Sequence, residues 1–255
     1  MNWKIIVIAL VAVIGVGVWG WYLQREAPVT ESVELAPSGV TPAAVAPSAK
    51  SSAVAAPSTE RQPLLAVPNS LEDSDGLVRA AVSDFAAQLT QWLTPEEQLR
   101  KWVLLVDQIA DGKLPLKNRP LSYPMATFMT QRKDEKLFLD EANYARADLL
   151  ITVITAIPIE HLADYYHAWR PLLDKAYGEI GGSGGFDKRL RTAIKRVLKV
   201  QALPTQPELI RPIVYYKYAD VNLEAASDIE KLMWRLGPQN AKQVQDYLRK
   251  LEPEL

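Results

Sequence analysis

The chain's only imidazoles are His161 and His167, and it contains no cysteine. Thiolate zinc sites, iron–sulfur ligation, cysteine nucleophiles and disulfides are therefore excluded together. Six residues separate the two histidines, about 600° around a helix at about 100° per residue, which leaves them about 120° apart. Helical zinc ligands need a three- or four-residue spacing on one face, and no His-Glu-x-x-His pattern is present. The spacing predicts structural or solvated histidines and no metal site. Gly181-Gly182-Ser183-Gly184-Gly185 follows a predicted helix rather than a strand, and no Gly-Lys-Ser/Thr closes it. It reads as a connector, not a phosphate loop. There is no Gly-x-Ser-x-Gly elbow, and no Ser-x-x-Lys pair followed by the further motifs of the penicillin-recognising enzymes. Asp140, Glu141, Asp148 and Glu160 are carboxylates on which a glycosidase-like pair would draw, but each also has a capping or surface role open to it. The sequence names no catalytic residue and no cofactor.

Two stretches carry recognition chemistry instead. A helix predicted over residues 186–201 holds Lys188, Arg189, Arg191, Lys195, Arg196 and Lys199 against the single acid Asp187. Lys188, Arg191, Lys195 and Lys199 are offset by three, seven and eleven residues, so at about 100° per residue they share one face. That face is either a solvated side of a core-docked helix or a patch for an anionic surface or acidic partner. With Leu190, Ile194, Val197 and Leu198 supplying the core contacts, replacement of all four by Gln is expected to leave the fold intact. The second stretch runs from Arg211 to Asp220, where Arg211, Tyr215 and Tyr218 are residue types that anchor interfaces. In a helical domain the alternative, and the weightier one, is that those tyrosines pack the domain's own core and bond through their hydroxyls.

These segments have to be positioned by the rest of the 255-residue chain, whose net charge is -1 and whose apolar content is 48%. That composition supports a real core and argues against a protein that coats nucleic acid. Residues 5–23 contain no charge and no proline. As a helix they span roughly 28 Å, close to the ~30 Å hydrocarbon core of a bilayer. Trp3 before the run and Trp19, Trp21 and Tyr22 at its end match an interfacial aromatic belt. Bulky aromatics stand where a signal peptide has small residues, so the expectation is a retained span rather than a cleaved leader. Lys4 precedes the span, whereas Arg25 and Glu26 cancel after it. Residues 1–4 are then a cytoplasmic tail and the remainder is exported. Residues 24–68 contain seven prolines among Ala and Ser, and predict a disordered tether. It would reach about 140 Å fully extended, or about 35–40 Å root-mean-square as a coil.

From residue 69 to 251 the pattern is that of one α-helical domain. A helix is predicted over 75–92. A second is opened by Thr94-Pro95-Glu96-Glu97, with Thr94 as cap and Glu97 completing a capping box. Its stripe is Leu99, Trp102, Val103, Val106 and Ala110, and Gly112 ends it. Pro115, Pro120 and Pro124 forbid a helix in the next stretch, where residues 126–130 and 136–139 predict a small β-hairpin. Asp140 caps a further helix bearing Leu150, Val153, Ile154 and Ile157. A long one over 158–180 is expected to kink at Pro171. Ser227-Asp228-Ile229-Glu230 forms a capping box, and Gly237-Pro238 separates the last two helices. The fold class expected is all-α: a bundle of about six to seven helices behind a single-span anchor and tether.

Several segments together resemble a bacterial family known as domain of unknown function 3014. They are Asn69–Arg79 (NSLEDSDGLVR), Gly112–Leu121 (GKLPLKNRPL), Tyr166–Gly181 (YHAWRPLLDKAYGEIG), Ile210–Asp220 (IRPIVYYKYAD) and Leu236–Asn240 (LGPQN). The resemblance covers nearly all of residues 69–251 and implies an envelope protein of Gram-negative bacteria. It carries no activity, cofactor or catalytic residue to transfer. The expectation is a non-enzymatic, inner-membrane-anchored periplasmic interaction or scaffold domain with a protein partner in the envelope. Its rivals are a carboxylate-dependent enzyme acting on peptidoglycan or glycan, and an accessory subunit of an envelope transport machine. The enzyme reading predicts a deep cleft with two or more unpaired carboxylates.

Overall fold

The computed structural model describes residues 66–255. The predicted tail, span and aromatic belt (Trp3, Trp19, Trp21, Tyr22), and the tether up to residue 65, lie outside the described residues. Among the described residues no helix is long and apolar enough to cross a membrane.

The apolar stripes fold as helices that bury them. Helix α1 (Ser74–Thr90) buries Val78, Val82 and Leu89 and bends at Ala86, whose φ/ψ are not helical. Helix α2 (Gln98–Ala110) buries the whole predicted stripe, with Trp102 at 0% exposure. A 3-10 turn (Glu141–Ala147) leads into α3 (Asp148–Thr155). Helix α4 (Ile159–Glu179) runs through Pro171 without interruption. Helix α5 (Phe186–Leu198) packs on α2. After the short α6 (Val221–Ala225), α7 (Asp228–Leu251) packs on α3 and α5. A 3-10 turn (Glu252–Glu254) follows.

The start of α2 differs from its prediction. Thr94 does not cap it; its hydroxyl donates to the Arg119 carbonyl at 2.7 Å. The carboxylate of Asp75, from α1, accepts the backbone N–H groups of Glu97 and Gln98, each at 2.7 Å. Glu97 sits in the left-handed region at φ 53°. The cap comes from another helix, which local sequence spacing cannot reveal. The capping box at Ser227 and Glu230, by contrast, forms with both halves present. Asp140 accepts from the Ala142 N–H at 2.9 Å, so it caps as predicted, although it opens the 3-10 turn rather than α3.

The all-α expectation is incomplete. Among the described residues there are seven α-helices and a four-stranded antiparallel sheet, in the order β1-β2-β3-β4. The hairpin β1 (Thr130–Lys133) and β2 (Lys136–Leu139) turns through Asp134 and Glu135, both at positive φ. Strands β3 (Glu208–Ile210) and β4 (Lys217–Tyr218) extend it, with Leu137 opposite Leu209 and Leu209 opposite Tyr218. These strands are too short to show the alternation that marks strands in a sequence. A second apolar cluster of Leu139, Leu209 and Tyr218 lies under the sheet, with Tyr144, Leu223 and Trp234 packed against it.

Candidate functional site

Where the sheet meets α7 there is a groove with a volume of about 460 Å³. The connector of residues 200–207 forms one wall; Tyr144 and Tyr218 line another; Trp234, Gly237 and Ala241 of α7 line a third. Pro204 and Pro207 stiffen the connector by fixing φ. Gly237 is obligatory: its φ is +81°, and a Cβ there would lie 2.5 Å from the Tyr144 ring. Most of the polar groups around the groove hold its walls. Gln245 donates to the carbonyls of Val197 and Val200 at 3.0 and 2.8 Å, and the Trp234 indole N–H donates to the Gln201 carbonyl at 2.9 Å. Gln206 donates to the Leu139 carbonyl. What remains for a ligand is mainly apolar and aromatic surface, with Glu141 and Lys242 among the lining residues. Tyr218, only 4% exposed, has its phenol pKa raised, chiefly by burial.

Three of the four candidate carboxylates lie outside the groove lining. Asp140 caps its turn, Asp148 accepts from the Asn240 amide at 2.8 Å, and Glu160 is exposed on α4. Glu141 is the one carboxylate lining the groove. Among the described residues no group of three or more His, Asp or Glu is placed to hold a metal ion. His167 Nε2 lies 3.1 Å from the Glu254 carbonyl, and because a carbonyl only accepts, that nitrogen carries the proton. His161 is half-buried.

The basic helix divides by residue type. Arg189 pairs with Asp107 and Asp111 at 2.7 Å each and also donates to the Asp107 carbonyl. Arg196 donates to the Ala110 carbonyl at 2.9 Å. Both arginines hold the C-terminal end of α2, where the unpaired carbonyls and the helix dipole favour cations. Arg191 bridges Asp187 at 3.2 Å and donates to the backbone oxygens of Glu252 and Leu255. Of the four patch residues, Lys188, Lys195 and Lys199 are exposed, whereas Arg191 is half-buried in that clamp. Replacing Arg191 therefore removes a fold contact, which corrects the expectation that all four are neutral to the fold. The planar guanidinium fork suits such multi-carbonyl contacts and an ammonium does not.

The predicted interface triad also divides. Tyr218 is buried under the sheet in the second cluster and also lines the groove. Arg211 is exposed, with its guanidinium 5.4 Å from the Tyr216 ring centre. Tyr215 is half-buried. The groove residues Tyr144, Gln206 and Trp234 are absent from the sequence-based candidates. The two local signals near them are the proline pair of the connector and the Gly237-Pro238 break.

Residues 98–252 match the family described as "Protein of unknown function (DUF3014)", over more than half of the chain. The chain belongs to that family. No curated protein and no solved structure matches it. The DUF3014 match spans α2 to α7, and so includes the groove, the basic helix and the sheet. Helix α1 precedes the match, yet its Val78, Val82 and Leu89 lie in the same core and its Asp75 caps α2. The folded unit is therefore larger than the matched segment.

Proposed function

We propose that the chain is a non-enzymatic interaction or scaffold domain of the cell envelope, held on the periplasmic side of the inner membrane by the span of residues 5–23. The groove between the sheet and α7 receives an apolar segment of a protein partner. One observation carries this reading. The groove walls are largely aromatic and aliphatic, and Trp234, Gln206 and Gln245 spend their side-chain donors on backbone carbonyls. A concave apolar surface of this size is a binding site by default physical criteria. A single lining carboxylate, Glu141, supports neither an acid–base pair nor a nucleophile–acid pair. The apolar span and the family resemblance support the placement in the envelope.

Photo-cross-linkers placed at Ala202 and Lys242, which line the groove, test this in living cells, with Lys188 on the basic helix as the control position. The expected result is a discrete protein adduct from both groove positions and none from Lys188. Absence of adducts from the groove, or the same adducts from all three positions, overturns the groove as the recognition site. A reporter fused after Leu255 is expected to be active only in its exported form, and activity of a cytoplasmic reporter there reverses the orientation.

A further inference from the structure

The two most exposed large apolar side chains of the described residues are Ile213, at 85%, and Val221, at 79%. Ile213 sits in the turn between β3 and β4, and Val221 begins α6 just beyond β4. Ile210 and Val214 are exposed as well. From Leu209 to Ala219 there is no acidic residue, while Arg211 and Lys217 flank the turn and are exposed. The acids at the borders are engaged: Glu208 pairs with Lys136 at 2.8 Å, and Asp220 caps α6 by accepting from Asn222 at 2.7 Å. The base of the turn is fixed by stacking. The Tyr216 ring centre lies 5.5 Å from that of Phe128 and 5.4 Å from the Arg211 guanidinium. The result is a braced projection with an aliphatic end, tyrosines behind it and cations at its base.

We infer that the β3–β4 turn inserts Ile213 and Val214 into the surface of an anionic bilayer, with Arg211 and Lys217 meeting the phosphate headgroups. The inference rests on the membrane-anchored reading above, which brings the domain to a bilayer. A projecting side chain that is 85% exposed makes few contacts with its own fold, and a soft apolar phase can surround it where a flat protein surface cannot. Tyrosine and long cations behind an aliphatic tip reproduce the order of polarity across a membrane interface. Strand addition by a protein partner is a poorer fit at this edge, because the backbone N–H of Tyr218 on β4 already donates to the Glu224 carboxylate at 3.0 Å.

Because the chain has no cysteine, a single introduced one is a unique probe. Full-length I213C and, separately, K250C are labelled with a nitroxide and reconstituted into vesicles of phosphatidylethanolamine and phosphatidylglycerol. Collision with oxygen is compared with collision with a water-soluble nickel complex. The oxygen-to-nickel ratio at 213 is expected to be several-fold higher than at 250, and to fall when phosphatidylcholine replaces the anionic lipid or when Arg211 and Lys217 are both changed to Gln. If the protein floats with the vesicles but the label at 213 is as water-exposed as at 250, the inference is overturned while the anchor stands. If the protein does not float at all, the anchor reading fails first. Shielding at 213 from both collision partners that grows with protein density marks a protein contact instead, and also overturns the inference.

Discussion

The helical bundle and the sheet module beside it solve the same packing problem at very different depths. In the bundle, side chains as large as Trp102, Trp169, Tyr166 and Phe186 are fully enclosed, and arginines from α5 close the end of α2. In the module only Leu139, Leu209 and Tyr218 are buried, most of their neighbours are half-exposed, and aliphatic side chains project into solvent. Local stability follows buried apolar contact, so the bundle sets whether the chain folds. The module, with the groove at its border, is where the surface departs from what solubility alone requires.

The sharpest way to break this division is to cut into each side. Trp102→Ala is expected to cost about 3–5 kcal/mol and to lower the urea midpoint of the whole domain. Leu209→Ala is expected to cost about 2 kcal/mol, and to open residues 130–139 and 208–218 to hydrogen exchange while protection in α2 and α5 persists. If both variants unfold the chain in one step with equal loss of protection throughout, the module is not a separate unit.

The join between the two regions is tested at Gly237. Its φ of 81° and ψ of 164° belong to a region that only glycine enters readily, and the Tyr144 ring occupies the space that a Cβ needs. Gly237→Ala is expected to destabilise by about 3 kcal/mol and to widen or close the groove. Calorimetry reads the first effect and the yield of Ala202 cross-links the second. A neutral outcome in both would mean that the groove wall is not set by this contact.

A smaller effect tests the surface of the bundle. Arg100 bonds Glu72 and Glu179, each at 2.6 Å. The Arg100 hydrogen bond is the main cause that holds the Glu72 carboxyl down, from its ordinary 4.5 to about 2. A group whose pKa is lowered in the folded state contributes stability above its unfolded pKa and loses that contribution as pH falls through the folded value. The difference in Tm between the parent and Arg100→Gln should therefore be constant above about pH 5 and shrink between pH 4.5 and 2. A difference that grows on acidification contradicts the pairing. Both carboxylates are well exposed, so screening keeps the shift small.

The smallest effect separates the two kinds of cation on α5. Changing Lys188, Lys195 and Lys199 together to Gln is expected to leave the urea midpoint within about 0.5 kcal/mol of the parent. Arg191→Gln alone should lower it measurably, since it releases the Glu252 and Leu255 oxygens. Equal effects would restore the view of α5 as a uniform basic face. If the three lysines meet an anionic surface, their loss shows only as weaker binding at low salt.

Much of the bundle was legible because helical periodicity and caps are local. The stripe from Leu99 to Ala110, the Ser227–Glu230 box and the Gly237-Pro238 break needed no long-range information. What was hidden depended on partners distant in sequence. Asp75 caps a helix more than twenty residues away, Gln206 closes onto Leu139, and β3 finds β2 across the whole of α3 to α5. The candidate site suffered most for that reason. Arg191 read as part of a face with Lys188, Lys195 and Lys199 because spacing alone cannot show that it is turned onto Asp187 and the Glu252 and Leu255 oxygens. For Tyr218 the sequence left interface and core packing both open, because two residues of strand carry no periodicity.

The bond from the Trp169 indole N–H to the Ala66 carbonyl, at 3.1 Å, has a mechanical meaning. Pro68 and Leu71 are buried immediately afterwards. Any tension transmitted along residues 1–65 therefore enters the folded domain at the middle of α4, not at the free start of α1. One indole bond and two enclosed side chains must give way there before α1 can peel. Trp169→Phe keeps an aromatic ring there but removes the donor, which makes this the first link to fail under pulling.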